Sequence, residues 1–140
     1  MSSTERQLGV DLFNGTWRLI ESREDDNLMI DCAHASAYHW AQAPECGPEN
    51  LARSAWLLSR VYTLVDQPEQ ALRYAQRCLA LCEANDLEDW DLAFAYEALA
   101  RASKSAGDPD AAAQFVSLAR GVPVRDAEDR DAVDSDLATI

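Results

Sequence analysis

The chain has 140 residues, 48% hydrophobic and 26% charged, enough to bury the core of one domain. Acidic residues outnumber basic ones by 25 to 12, for a net charge of −13. A field of that sign repels nucleic acid and anionic membranes, which sets both aside as partners. No apolar run approaches the ~20 residues needed to cross a bilayer. The opening Met1-Ser2-Ser3-Thr4-Glu5-Arg6 lacks the hydrophobic stretch of a signal peptide, which points to a cytoplasmic protein. Only Lys104 among the 12 basic residues is lysine, the rest being arginine; with so much alanine, this is the composition of a GC-rich bacterial genome.

The first element is a helix from about Thr4 to Ser22, with Val10, Phe13, Trp17 and Ile20 as one apolar stripe and Leu8, Leu12, Thr16 and Leu19 beside it. Gly9 and Gly15 weaken the helix and suit close approach of a neighbour. The break Arg23-Glu24-Asp25-Asp26 leads to helix two, about Asn27 to Ala43, alanine-rich with a polar line through Asn27, Asp31, His34, Tyr38 and Gln42. After Pro44-Glu45-Cys46-Gly47-Pro48, helix three runs to Leu64 and packs through Leu51, Ala55, Leu58, Tyr62 and Val65. Helix four starts after Gln67-Pro68, packs through Ala71, Ala75, Cys78 and Cys82, and ends near Asn85. Helix five, about Asp89 to Ala106, packs through Leu92, Ala95, Leu99 and Ala102. Gly107 closes it, and helix six follows from Pro109 to Arg120 with Ala112, Phe115, Val116 and Ala119 inward. From Gly121 the chain turns acidic, with Val133, Leu137 and Ile140 as a sparse apolar stripe. It reads either as a short helix covering the end of the domain or as a disordered tail. No segment reads as a strand.

Two of these hairpins align. The turns Asp66-Gln67-Pro68-Glu69-Gln70-Ala71 and Gly107-Asp108-Pro109-Asp110-Ala111-Ala112 place their alanines 41 residues apart (71 to 112), the scale of a helical-hairpin repeat. A hairpin cannot bury its apolar face alone, so repetition implies stacking and a long curved surface.

The pattern resembles the tetratricopeptide repeat. Leu58, Ser59 and Tyr62, then Ala71, Ala75 and Cys78, fall on that family's packing positions, as do Tyr96, Leu99, Ala100, Gly107, Ala112, Val116 and Ala119 in the later unit. The spacing is 41 where the family has 34, Asp66 replaces a common glycine, and Ser103 replaces an aromatic. The resemblance implies an all-α, right-handed stack of antiparallel hairpins over residues 1–120, six main helices in all, with 121–140 as acidic tail or capping helix. It also implies that the first helix of each hairpin lines a concave face.

That face receives Arg53, Trp56, Arg60 and Thr63 from helix three and Glu97, Arg101 and Lys104 from helix five, a placement the helical wheel gives independently. Helix one adds Arg18. Trp56 lies between Arg53 and Arg60, where guanidinium groups stack on indole. A tryptophan flanked by arginines suits an interface anchor, and arginine's planar fork suits carboxylates. The expectation is a groove for an acidic segment or a C-terminal carboxylate, and the competing reading is a solvated face with a Glu97–Arg101 pair.

The alternative site is the polar line Asp31, His34 and Tyr38, in which Asp31 would raise the His34 pKa. His34 and His39 diverge by ~140° around a helix and cannot chelate one ion. Cys78 and Cys82, one turn apart, fall on an apolar side, and the four cysteines, with Cys32 and Cys46, are expected as free thiols. No glycine-rich phosphate loop, nucleophile elbow or zinc-protease element occurs. The sequence therefore points to a non-enzymatic scaffold without cofactor or metal, binding a protein or peptide and open to homodimer formation through its end faces. A small-molecule- or metal-binding protein using His34, His39 and the cysteines is the alternative.

Overall fold

A computed structural model describes residues 1–140 as seven helices and no strand. They are α1 (Thr4–Ser22), α2 (Asp26–Gln42), α3 (Pro48–Leu64), α4 (Pro68–Ala84), α5 (Asp89–Ser105), α6 (Pro109–Gly121) and α7 (Ala127–Leu137). Local chemistry sets the boundaries. Proline opens α3, α4 and α6, where its missing N–H costs nothing. Ser3, Asp25, Asp108 and Asp126 accept hydrogen bonds from the first-turn amides of α1, α2, α6 and α7. Gln67, by contrast, makes no such bond at the start of α4. The turns of the aligned hairpins share a backbone signature: Asp66 and Gly107 are both left-handed, with φ of 58° and 81°.

Helices α1 and α2, α3 and α4, and α5 and α6 pair as hairpins, and α2 with α3 and α4 with α5 join them side by side. α3 also touches α5, so the first helices of the last two hairpins share a layer. The core follows this order as four clusters. Met29, Leu57, Leu58 and Val61 sit between the first two hairpins, and Ala52, Ala55, Cys78, Cys82 and Ala95 come next. Ala71, Ala75, Ala98, Leu99 and Ala102 follow, and Ala93, Ala119, Val122, Val133 and Leu137 close the far end. Alanine dominates because small side chains let helix axes approach closely. Where they meet, serine hydroxyls cross over: Ser36 donates to the Gly9 carbonyl (2.7 Å) and Ser59 to that of Ala71 (2.9 Å).

Gly9 is a true close approach, since a Cβ there would lie 2.8 Å from the Trp40 ring. Gly15 is not: only the end of the Arg18 side chain comes near it. α3 buries seven residues, including Leu57 and Val61, which lie off the stripe expected from sequence. It is packed by α2, α4 and α5, so more than one face is covered. The acidic tail forms α7, which packs chiefly on α5 and buries Val133 and Leu137. Each of those side chains contributes about 1.5–3 kcal/mol. No helix is long and apolar enough to cross a membrane.

Candidate functional site: an aromatic pocket beside an arginine cluster

Helical periodicity puts Arg53, Trp56 and Arg60 on one face of α3, between α1 and α5. Trp56 is the hub. Its ring lies 5.7 Å from Trp17 of α1 and 5.5 Å from Phe94 of α5, and Trp90 meets Phe94 edge-on at 5.9 Å. With Phe13, these rings wall a cavity of about 240 Å³ that reaches Cys78. The lining is apolar apart from one ion pair. Arg53 grips the Asp91 carboxylate with two hydrogen bonds (3.0 and 3.1 Å), its guanidinium 4.8 Å above Trp90. Beneath, the Trp56 indole N–H is buried with no acceptor.

One helical turn away lies the charged end. Glu97 of α5 is completely buried, and its Oε1 accepts from Arg60 (2.8 Å) and Arg101 (3.1 Å). Its Oε2 has no partner. Arg60 also lies over the Trp56 ring at 5.1 Å and reaches Asp136 of α7 (3.1 Å). Arg101 donates to the main-chain oxygen of Asp136 (2.9 Å) and to the Thr139 hydroxyl (2.7 Å), and Lys104 to the main-chain oxygen of Ile140. An arginine with two carboxylates and a ring face in reach is held in one orientation.

Of the residues singled out in the sequence, Arg53, Trp56, Arg60, Glu97, Arg101 and Lys104 thus form a continuous strip, with three differences. Only Arg60 stacks on Trp56, because Arg53 turns to Trp90 and Asp91. Glu97 lies beneath the arginines, not on a solvated face. Arg60 and Arg101 are covered by α7, with side chains only 14% and 17% exposed. Arg18 is exposed on α1 and joins no ion pair, and the Thr63 hydroxyl bonds within its own helix to the Ser59 carbonyl. Phe13 and Trp17 pack against the first core cluster, as their stripe predicts, and also wall the pocket; Trp90, Asp91 and Phe94 are site residues that the sequence reading does not single out. Aromatic pairs one turn apart, 13 with 17 and 90 with 94, are the signal that marks them.

The polar line on α2 is not assembled. Tyr38 is 62% exposed and Asp31 is exposed, whereas His34 turns to the Tyr62 hydroxyl of α3 (Nε2 to O, 2.8 Å). His34 also meets Tyr62 and Tyr74 edge-on, and those two rings stack on each other. Burial lowers the His34 pKa and outweighs the opposing effect of Asp31, the reverse of the sequence expectation. The unfolded chain therefore takes up this proton first as pH falls below ~6.5. The His34 contribution is present above that pH and is lost as pH falls through the lower folded value. Urea midpoints measured between about pH 7.5 and 5 should decline less steeply in His34→Gln than in the wild type.

His39 bonds to Glu5 of α1 (2.6 Å), away from His34. Cys78 and Cys82 are buried together, and their mutual hydrogen bond and burial push the Cys78 thiol well up. No cluster of three or more histidine, cysteine or acidic side chains is placed to hold a metal ion. No family model, curated protein or solved structure matches the chain.

Proposed function

We propose that the protein is a non-enzymatic interaction module of the tetratricopeptide-like kind, holding a segment of a protein partner along the face shared by α1, α3 and α5. The observation that carries this reading is the adjacency of two complementary receptors on one strip. The ring-walled cavity suits a bulky apolar anchor side chain, and the arginine cluster beside it already holds an acidic segment, the chain's own α7. Rigid aromatic and arginine side chains are the composition of binding hot spots. The net charge of −13 disfavours nucleic acid and directs attention to protein segments in the cytoplasm.

Trp90 is the residue to test. It is 37% exposed, so its loss removes a pocket wall with little effect on the core. Affinity capture from the source cell with wild type and with Trp90→Ala/Arg53→Ala supplies the experiment. Capture of a partner should fall roughly 30-fold, as for a hot spot of ~2 kcal/mol. Unchanged capture by a variant with unchanged circular dichroism would overturn the reading.

The apolar, ring-walled lining favours one second reading, a small planar aromatic molecule in the same cavity. Saturable quenching of tryptophan fluorescence by such a compound, lost in Trp90→Ala, would support it over a peptide anchor.

A further inference from the structure

α7 lies across the arginine end of the trough. Without the segment from α7 to Ile140, Arg60 and Arg101 share a single carboxylate, that of Glu97, Lys104 loses its Ile140 partner, and this end keeps a surplus of positive charge in a strongly acidic protein. A local surplus of that kind selects acidic segments and repels basic ones. We propose that this end of the trough is a docking surface for an acidic helix of a partner protein, and that α7 is a resident placeholder which the partner helix displaces. The proposal rests on the trough being a binding surface and names the partner's chemistry and the site's regulation.

Four features make α7 replaceable. Its helix buries only two side chains, against seven for α3. Its contacts fall chiefly on α5 and fewer on α6, and it belongs to none of the three hairpin pairs. Its N-terminal end is crowded by like charge: Asp126, Glu128 and Asp129 gather near Asp89, and lost hydration with this repulsion raises the Asp129 pKa. It also leaves the aromatic cavity unfilled, since none of its residues lines that space. An acidic helix that offered Arg60 a carboxylate and Arg101 an acceptor oxygen, as the side chain and main chain of Asp136 do, and added a bulky side chain for the cavity would satisfy both receptors where α7 satisfies one.

The probe is a fluorescein-labelled, amidated peptide of residues 126–140, added to the full chain and followed by anisotropy. It contains no aromatic residue and so reads the arginine end alone. Two full-length variants unseat α7: Val133→Asp/Leu137→Asp removes its apolar hold, and Asp136→Lys opposes Arg60. Both should bind the probe at least roughly tenfold more tightly than wild type, and adding Arg101→Glu should abolish the gain. If the double variant loses its helical circular dichroism, Asp136→Lys carries the comparison alone. Equal or absent binding in wild type and folded variants overturns the proposal, as does exchange of α7 between two copies, seen as a wild-type dimer by light scattering. Failure of the Trp90→Ala/Arg53→Ala capture experiment would strike the trough reading itself, while failure with the probe strikes only the role of α7.

Discussion

Glu97→Ala should lower the unfolding free energy by about 3–5 kcal/mol, the usual result of removing one partner from a buried ion pair. At roughly 3 °C per kcal/mol for a chain of this size, the midpoint of a thermal scan should drop by about 10 °C. The reason is geometric. Glu97 is fully buried and a single oxygen anchors both Arg60 and Arg101, so its loss leaves two adjacent cations facing each other. Asp136 alone then remains to neutralise them. The effect belongs to the imbalance of charge rather than to the pair's net worth. Replacing all three together, as Glu97→Leu with Arg60→Met and Arg101→Met, should therefore restore most of the lost stability. A triple variant as unstable as Glu97→Ala would refute this account.

Trp56→Ala should cost a comparable ~3–5 kcal/mol, the range for emptying a large aromatic site in a core. Trp56 touches three of the four core clusters and meets Trp17 and Phe94 as well. Its ring is thus wall and keystone together, and a binding defect in Trp56→Ala could not be separated from misfolding. Trp90→Ala removes only a partly exposed ring that packs on Phe94 and Arg53, and its cost should stay within about 1 kcal/mol. Denaturant midpoints for the two variants check the contrast directly. Similar losses in both would mean that the pocket and the core are one energetic unit.

Much of the architecture was legible in the sequence because its punctuation is local. Prolines 48, 68 and 109 open helices, Gly107 ends a hairpin's first arm, and the apolar stripes have helical spacing. The six main helices accordingly start and end within about a residue of where the pattern puts them. The tail stayed ambiguous for a physical reason. Two buried side chains among six acidic residues make a weak stripe, and what orders α7 is Arg60, Arg101 and Lys104, distant in sequence.

The site was legible in part. A helical wheel puts residues 53, 56 and 60 on one face but cannot say what lies across from them. It gave Glu97 a partner at Arg101 and no hint of Arg60, 37 residues earlier, so a buried carboxylate looked like a surface one. His34 was assigned neighbours on its own helix, while its actual partner, Tyr62, is 28 residues away. Phe13 and Trp17 are core as their stripe predicts, but an apolar stripe cannot show that the same side chains also wall a cavity.

The pairing of each helix mainly with its neighbours in the chain also bears on how the molecule assembles. Few long loops must close before contacts form, so refolding should be complete on the order of milliseconds or faster. Amide protons should report a gradient of protection, slowest in α3, which is covered on several sides, and fastest in α7. A stack of this kind loosens from its rims inward, and its most guarded backbone is the helix that carries Trp56.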